Sequence, residues 1–110
     1  MAWVNDSFTV DAGATFERGW QVTLDDGVTP YDLTGFTAKL QVRESASTAL
    51  LFEVTPTITI STGTVSSVWS AANTALMTKV LYNYALELTS STKVIRLAEG
   101  VCNVSLEVVK

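Results

Sequence analysis

The stretch that decides the fold is Asp32-Leu33-Thr34-Gly35-Phe36-Thr37-Ala38-Lys39-Leu40-Gln41-Val42-Arg43. It opens with the turn-forming residues Asp32, Thr34 and Gly35, and then apolar and polar side chains alternate up to its last residue. Successive side chains of a β-strand point to opposite faces of its sheet, so this segment predicts a strand with one buried and one solvent-facing side. The predicted core side consists of Phe36, Ala38, Leu40 and Val42. The predicted solvent side consists of Thr37, Lys39, Gln41 and Arg43.

The same alternation recurs along the chain and predicts further strands. They are expected within residues 7–10, 14–24, 50–55, 57–60, 64–68, 82–89, 93–97 and 102–108. Turn signals such as Asp25-Asp26-Gly27 and Ser61-Thr62-Gly63 separate them, and the second of these predicts a hairpin. Short strands with turn signals about every eight to twelve residues predict an all-β protein, and specifically an antiparallel β-sandwich of the immunoglobulin-like type.

One short helix is predicted near residues 70–79. Ser70 is a good N-cap, the following alanines favour helix, and Leu76 offers an apolar anchor. Two tryptophans are assigned to the core. Trp20 is expected to share a buried face with Val22 and Leu24, and Trp69 is expected to cover the edge of the core.

Length and composition favour one domain rich in strands. A chain of 110 residues is long enough for a single core. Charged residues make up 16%, below the roughly 25% of average globular proteins, and threonine and serine take their place, which suits half-exposed strands. We expect an N-terminal arm at residues 1–6 and a single β-sandwich domain at residues 7–110.

The charge pattern argues against nucleic acid and membrane partners. The net charge is −4, and the seven basic residues are scattered singly, so no electrostatic footprint for nucleic acid is present. The longest apolar runs are too short to span a bilayer. The single cysteine, Cys102, permits no internal disulfide, and its place on the apolar side of a predicted strand favours a buried, unreactive side chain.

Residues that carry catalysis or bind metals are sparse. The chain has no histidine, which removes the commonest general base and a common zinc ligand. Asp25 and Asp26 lack the spacing of a calcium loop and are assigned to turn chemistry. The strand glutamates are expected on separate solvent faces. We therefore predict no catalytic residue, no cofactor and no metal site.

The remaining candidates are residues that could contact a partner. Trp3 lies near the terminus in a segment too short to bury it locally, so it either anchors an interface, folds back on its own domain or stacks on carbohydrate. The partner-binding residues predicted from the pattern are Trp3, Val4, Thr37, Lys39, Gln41 and Arg43.

Several short motifs, taken in order, resemble a family of small structural proteins of tailed bacteriophages, similar to the N-terminal domain of phage baseplate upper proteins. The motifs begin with Ala12-Gly13-Ala14-Thr15-Phe16, Asp25-Asp26-Gly27 and the segment from Asp32 to Ala38. They continue with Gln41-Val42-Arg43-Glu44-Ser45, Ser70-Ala71-Ala72-Asn73-Thr74-Ala75-Leu76, Tyr84-Ala85-Leu86-Glu87-Leu88 and Val94-Ile95-Arg96-Leu97-Ala98-Glu99-Gly100-Val101.

The resemblance implies a β-sandwich that docks within a phage particle and has no catalytic residues. The expected function is a non-enzymatic virion structural protein of the tail, baseplate or fibre-docking region, made in the bacterial host cytoplasm. Its expected partners are other phage structural proteins and further copies of itself in a symmetric assembly. Two alternatives remain open: a capsid decoration, or cement, protein, and a carbohydrate-binding module that uses Trp3 or Trp69.

Overall fold

The computed structural model describes residues 4–24, 29–45 and 49–106. The strands of this part of the chain are Val4–Asn5 (β1), Phe8–Asp11 (β2), Phe16–Gln21 (β3), Thr37–Arg43 (β4), Leu50–Val54 (β5), Thr57–Thr59 (β6), Thr64–Trp69 (β7), Leu81–Thr89 (β8) and Val94–Ser105 (β9). A four-residue helix, Ala71–Thr74 (α1), and a 3₁₀ turn, Ile60–Thr62, are its helical elements. The all-β prediction is confirmed. Trp3, the Asp25-Asp26-Gly27 turn and the end of the last predicted strand lie outside the described residues.

The strands form two sheets. In the larger sheet β1 and β2 both lie beside β9, and β8, β4 and β5 follow in that order; the smaller sheet has the order β3, β7, β6. Among the strands that the structure describes, β1 and β2 run parallel to β9 and the other pairings are antiparallel. The expectation of purely antiparallel sheets is therefore wrong at this edge. These strands come from opposite ends of the chain, so no tight turn between them requires the antiparallel direction.

The segment that decides the fold is built as its pattern predicts. Asp32 Oδ1 accepts hydrogen bonds from Thr34 Oγ1 at 2.7 Å and from Thr34 N at 3.0 Å. Gly35 follows with a φ of 82°, which glycine adopts without strain, and Phe36 N closes the turn on Leu33 O at 3.1 Å. Two details differ from the pattern. Leu33 is fully buried within the turn, and Phe36 is only partly buried because β4 starts after it.

The Asp32 turn gives a prediction for acid titration. The hydrogen bonds from the side chain and then the backbone of Thr34 hold the pKa of Asp32 below its ordinary value. A carboxyl with a depressed pKa adds stability above its unfolded-state pKa and loses it as pH falls through the folded-state value. We expect Thr34→Val to move the Asp32 pKa upward in a ¹³C NMR titration, whereas Thr37→Val should leave it unchanged. An unmoved pKa in Thr34→Val would contradict the assignment.

One core contains side chains from both sheets. Its fully buried members include Val10, Leu40, Val42, Val65, Trp69 and Leu86. Phe8 of the larger sheet stacks on Phe16 of the smaller one with ring centroids 5.0 Å apart. Phe52 meets Trp69 edge-on at 5.3 Å. The core side predicted for β4 is confirmed at Ala38, Leu40 and Val42.

Two sequence predictions about the smaller sheet need correction. Trp20 and Val22 are buried as expected, but Leu24 is 48% exposed because β3 ends before it. Trp69 does not merely cover the edge of the core; it is completely buried between the sheets. The predicted hairpin between β6 and β7 is present, with Gly63 in the left-handed conformation that ends its 3₁₀ turn.

The helix is shorter than predicted. Ser70 caps it as expected by accepting a bond from Asn73 N at 3.1 Å, but the helix ends at Thr74 rather than near residue 79. Thr74 is buried and donates to Ala14 O at 2.7 Å, which fixes the helix to the preceding β2–β3 connection. Met77 then fills the core, while the predicted anchor Leu76 is 48% exposed.

Residues 94–105 form a single strand instead of two separate ones. The register with β8 shifts between Leu86 and Glu87, so that Leu97 is an extra residue and both Leu97 and Ala98 are buried. Such a β-bulge interrupts the two-residue alternation. This interruption is why the sequence pattern divides the strand. As a consequence, Arg96 and Glu99, three residues apart, both lie outside the core.

The strands β1 and β2 are separated at the point where the chain crosses Gly100 of β9. Val4 and Asn5 pair with Ala98 and Glu99, whereas β2 pairs from Cys102 onward. Between them the Asp6 carboxylate accepts bonds from Arg18 Nε at 2.7 Å and Trp20 Nε1 at 3.2 Å. Residues 4–6 of the predicted arm thus lie against the sheet of their own chain, while residues 1–3 lie outside the described residues.

Candidate functional site

The candidate site is the solvent-facing side of β4, β8 and β9, which we call the outer polar face. Its members are Thr37, Lys39, Gln41 and Arg43 of β4, Asn83, Ala85, Glu87 and Thr89 of β8, and Arg96, Glu99 and Val101 of β9. The four candidate residues of β4 therefore share one surface. Thr37 and Lys39 are exposed, and Gln41 and Arg43 are half-buried by their neighbours.

A depression with a volume of about 650 Å³ lies on this face. Its floor is at Ala85, because the strand register places Gln41 on one side of that small side chain and Glu99 on the other. Lys39 and Arg43 also line the depression, but Thr37 does not. Three of the four candidate residues on β4 thus line one concave site.

Arg96 organises the charges on one side of the depression. Its Nη2 lies 2.8 Å from Glu87 Oε2, and its Nη1 lies 3.7 Å from Glu99 Oε1. The hydrogen bond with Glu87 and the charges of both glutamates raise the pKa of Arg96. All three side chains are partly exposed, so the pairs orient one another more than they stabilise the fold.

A second chain of hydrogen bonds fixes the other side. Arg43 Nη2 donates to Gln41 Oε1 at 3.0 Å, and Gln41 Nε2 donates to Glu53 Oε2 of β5 at 2.8 Å. The amide of Gln41 is therefore held in one orientation. Lys39 is different: no carboxylate of the described residues lies within ion-pair distance of its ammonium group.

The reactive groups near this face point into the core. Burial raises the pKa of the Cys102 thiol to about 12, which keeps it protonated at neutral pH. Burial also raises the pKa of the Tyr84 phenol, whose hydroxyl donates to Asp6 O at 2.5 Å. Within residues 4–24, 29–45 and 49–106, no cluster of metal-ligating side chains occurs. The outer polar face therefore offers hydrogen bonds and ion pairs to a ligand.

Exposed aromatic side chains are missing from the described members of this face. Tyr84 points inward, and Trp20 and Trp69 are buried in the core. Stacking of a sugar ring on Trp69, one of the sequence-based expectations, is therefore wrong for this fold. Trp3 lies outside the described residues, and Val4 lies in β1 beside β9, so neither joins β4 in the depression. None of the helices in the described ranges is both long and apolar enough for a membrane span.

The half of the site that β8 and β9 contribute could not be predicted from the sequence pattern. The alternation of residues 82–89 already placed Asn83, Ala85 and Glu87 on a solvent side. It gave no sign that β8 pairs with β4, since pairing between distant strands leaves no local pattern. Arg96 and Glu99 share this face only because of the bulge in β9, which the sequence pattern does not indicate.

Known proteins give no guide to the role of this face. No protein-family model matches the chain, and a search of curated proteins finds none with significant similarity. A role for the outer polar face therefore depends on its charges, its shape and the motif resemblance of the sequence.

Proposed function

We propose that the chain is a non-enzymatic structural protein of a tailed-bacteriophage virion, with the tail, baseplate or fibre-docking region as its place in the particle. The fold that we propose is an immunoglobulin-like β-sandwich whose first strand runs parallel to its last. Two sheets that share one core, with strands contributed in alternation along the chain, support this fold. The phage assignment is supported by the ordered motifs around the segment from Asp32 to Arg43.

The main support for a docking role is the preformed arrangement of side chains on the outer polar face. Its side chains are held by hydrogen bonds and ion pairs on three neighbouring strands before any partner arrives. Side chains that are already ordered lose less entropy when they are buried against a partner. A rigid strand framework also positions contacts more accurately than loops do. Both properties suit a subunit that docks in one orientation.

The proposed partners are other phage structural proteins and further copies of this chain in a symmetric assembly. The edge strands of the smaller sheet are protected against pairing with other strands, which suits a chain that folds before it docks. The edge strand β6 has only three residues, and Arg18 on the edge strand β3 points toward Asp6, with its Nη2 2.6 Å from the carboxylate. Short edges and inward-pointing charges prevent uncontrolled strand pairing.

Quantitative mass spectrometry of purified virions tests this function. We expect the chain in washed particles at roughly a few to two dozen copies, as suits a closed symmetric assembly of few subunits. Hundreds of copies would assign it to the capsid as a decoration protein instead. Absence from particles, with the chain present in the infected cell lysate, would overturn the structural role in both forms.

A further inference from the structure

We propose that the depression over Ala85 receives an acidic segment of a partner protein, with a carboxylate of that segment paired to Lys39. This inference rests on the proposed docking function and specifies the chemistry of its partner. Three features support it: the depression has a net positive charge, Lys39 has no ion pair among the described residues, and Ala85 is small.

The depression is positive within an acidic protein. Three cations, Lys39, Arg43 and Arg96, line it together with two anions, Glu87 and Glu99. The chain as a whole has a net charge of −4. An acidic partner segment is therefore attracted to this site and repelled by the remaining surface, which favours one orientation of docking.

Lys39 supplies the excess positive charge. The register between β4 and β8 places Lys39 directly opposite Glu87. Glu87, however, binds Arg96 on the other side of β8, at 2.8 Å. Because Glu87 is oriented toward Arg96 and Lys39 has no ion pair among the described residues, the ammonium group of Lys39 is available for a carboxylate from outside.

The shape of the site favours an extended protein segment. Ala85 has no side chain beyond its Cβ, so an incoming backbone can approach the sheet between Gln41 and Glu99. The long side chains of Lys39, Arg43 and Arg96 line the depression around it. A nucleic acid is a poor fit, because its binding depends on neutralising several phosphates, and three cations against two anions leave this depression only one excess positive charge.

A peptide titration followed by ¹⁵N NMR tests the inference. The probe is a five-residue peptide with blocked ends, glutamate at its second and fourth positions and serine elsewhere; the matched control has glutamine in place of glutamate. We expect the glutamate peptide to shift the amides of Lys39 and Ala85 and to bind weakly, with a Kd no lower than about 10 mM, because one or two exposed ion pairs contribute little free energy. The glutamine peptide should not shift them.

Variants assign the effect to Lys39. We expect Lys39→Ala to weaken binding of the glutamate peptide by at least about threefold at low salt. Lys93→Ala is the matched control, because Lys93 is an exposed lysine that bonds Tyr31 Oη at 3.2 Å, outside the depression, and it should bind like the unmodified chain.

Three results would overturn the inference: no shifts with the glutamate peptide, equal shifts with the glutamine peptide, or equal weakening in the two lysine variants. Each of them leaves the virion measurement unaffected, so this inference and the proposed function can fail separately. Because Lys39 is exposed, loss of folding is not expected in its variant, and the dispersion of the same NMR spectra checks this.

Discussion

Gly100→Ala is expected to destabilise the chain by about 3–5 kcal/mol, the largest effect we foresee for adding one methyl group. A Cβ at this position would lie 2.2 Å from Asp6 O and 2.9 Å from Asp6 C. Both are backbone atoms, so no side-chain rotation can relieve the clash. The N-terminal segment would have to move away from β9. It would then lose the bond from Asp6 N to Glu99 O and the bond from Tyr84 Oη to Asp6 O.

Gly19→Ala is the matched control for this prediction. Gly19 also lies inside a strand, but the nearest atom to an added Cβ is Ser66 Oγ at 3.4 Å, an ordinary contact. Alanine reduces the freedom of the unfolded chain, so this variant should be unchanged or more stable by up to about 1 kcal/mol. Urea unfolding of both variants compares them directly. Equal midpoints would show that the crossing of Asp6 over Gly100 does not constrain the fold.

Which side of a strand faces the core could be predicted from the sequence, because residues two positions apart in a strand lie on the same face. Leu40 and Val42 are buried and Lys39 is exposed for that reason, and the turn at Asp32 follows from side-chain chemistry within three residues. Errors appear where a segment leaves its sheet. Leu24 continues the alternation of β3, but the sheet ends before it, and no local pattern marks that end.

The candidate site was predictable only in its β4 half. Lys39, Gln41 and Arg43 follow from one alternating segment, whereas their partners on β8 come from 40 to 48 residues later in the chain. Which strand pairs with which is decided by the packing of both sheets around Trp69 and Leu86, a property of the whole chain. The bulge at Leu97 adds a second difficulty, since it reverses the sequence pattern within a continuous strand.

Leu40 and Leu76 also differ in how well the local sequence pattern predicts burial, and the difference can be measured. Both are leucines that the sequence assigns to the core, one by alternation in a strand and one as the anchor of a helix. Leu40 is completely buried, whereas Leu76 is 48% exposed. Because the helix stops at Thr74, Met77 takes the core position that a longer helix would have given to Leu76.

We therefore expect Leu40→Ala to lower the free energy of unfolding by about 2–5 kcal/mol, through lost burial and the cavity left between the sheets. Leu76→Ala removes the same atoms from a half-exposed site and should cost less than about 1 kcal/mol. Thermal and urea unfolding of the two variants, measured side by side, give the difference between two changes that remove the same atoms. A cost for Leu40→Ala below about 1 kcal/mol would place this side chain outside the core and reverse the two faces of β4. Lys39, Gln41 and Arg43 would then face inward, and the outer polar face could not exist as described.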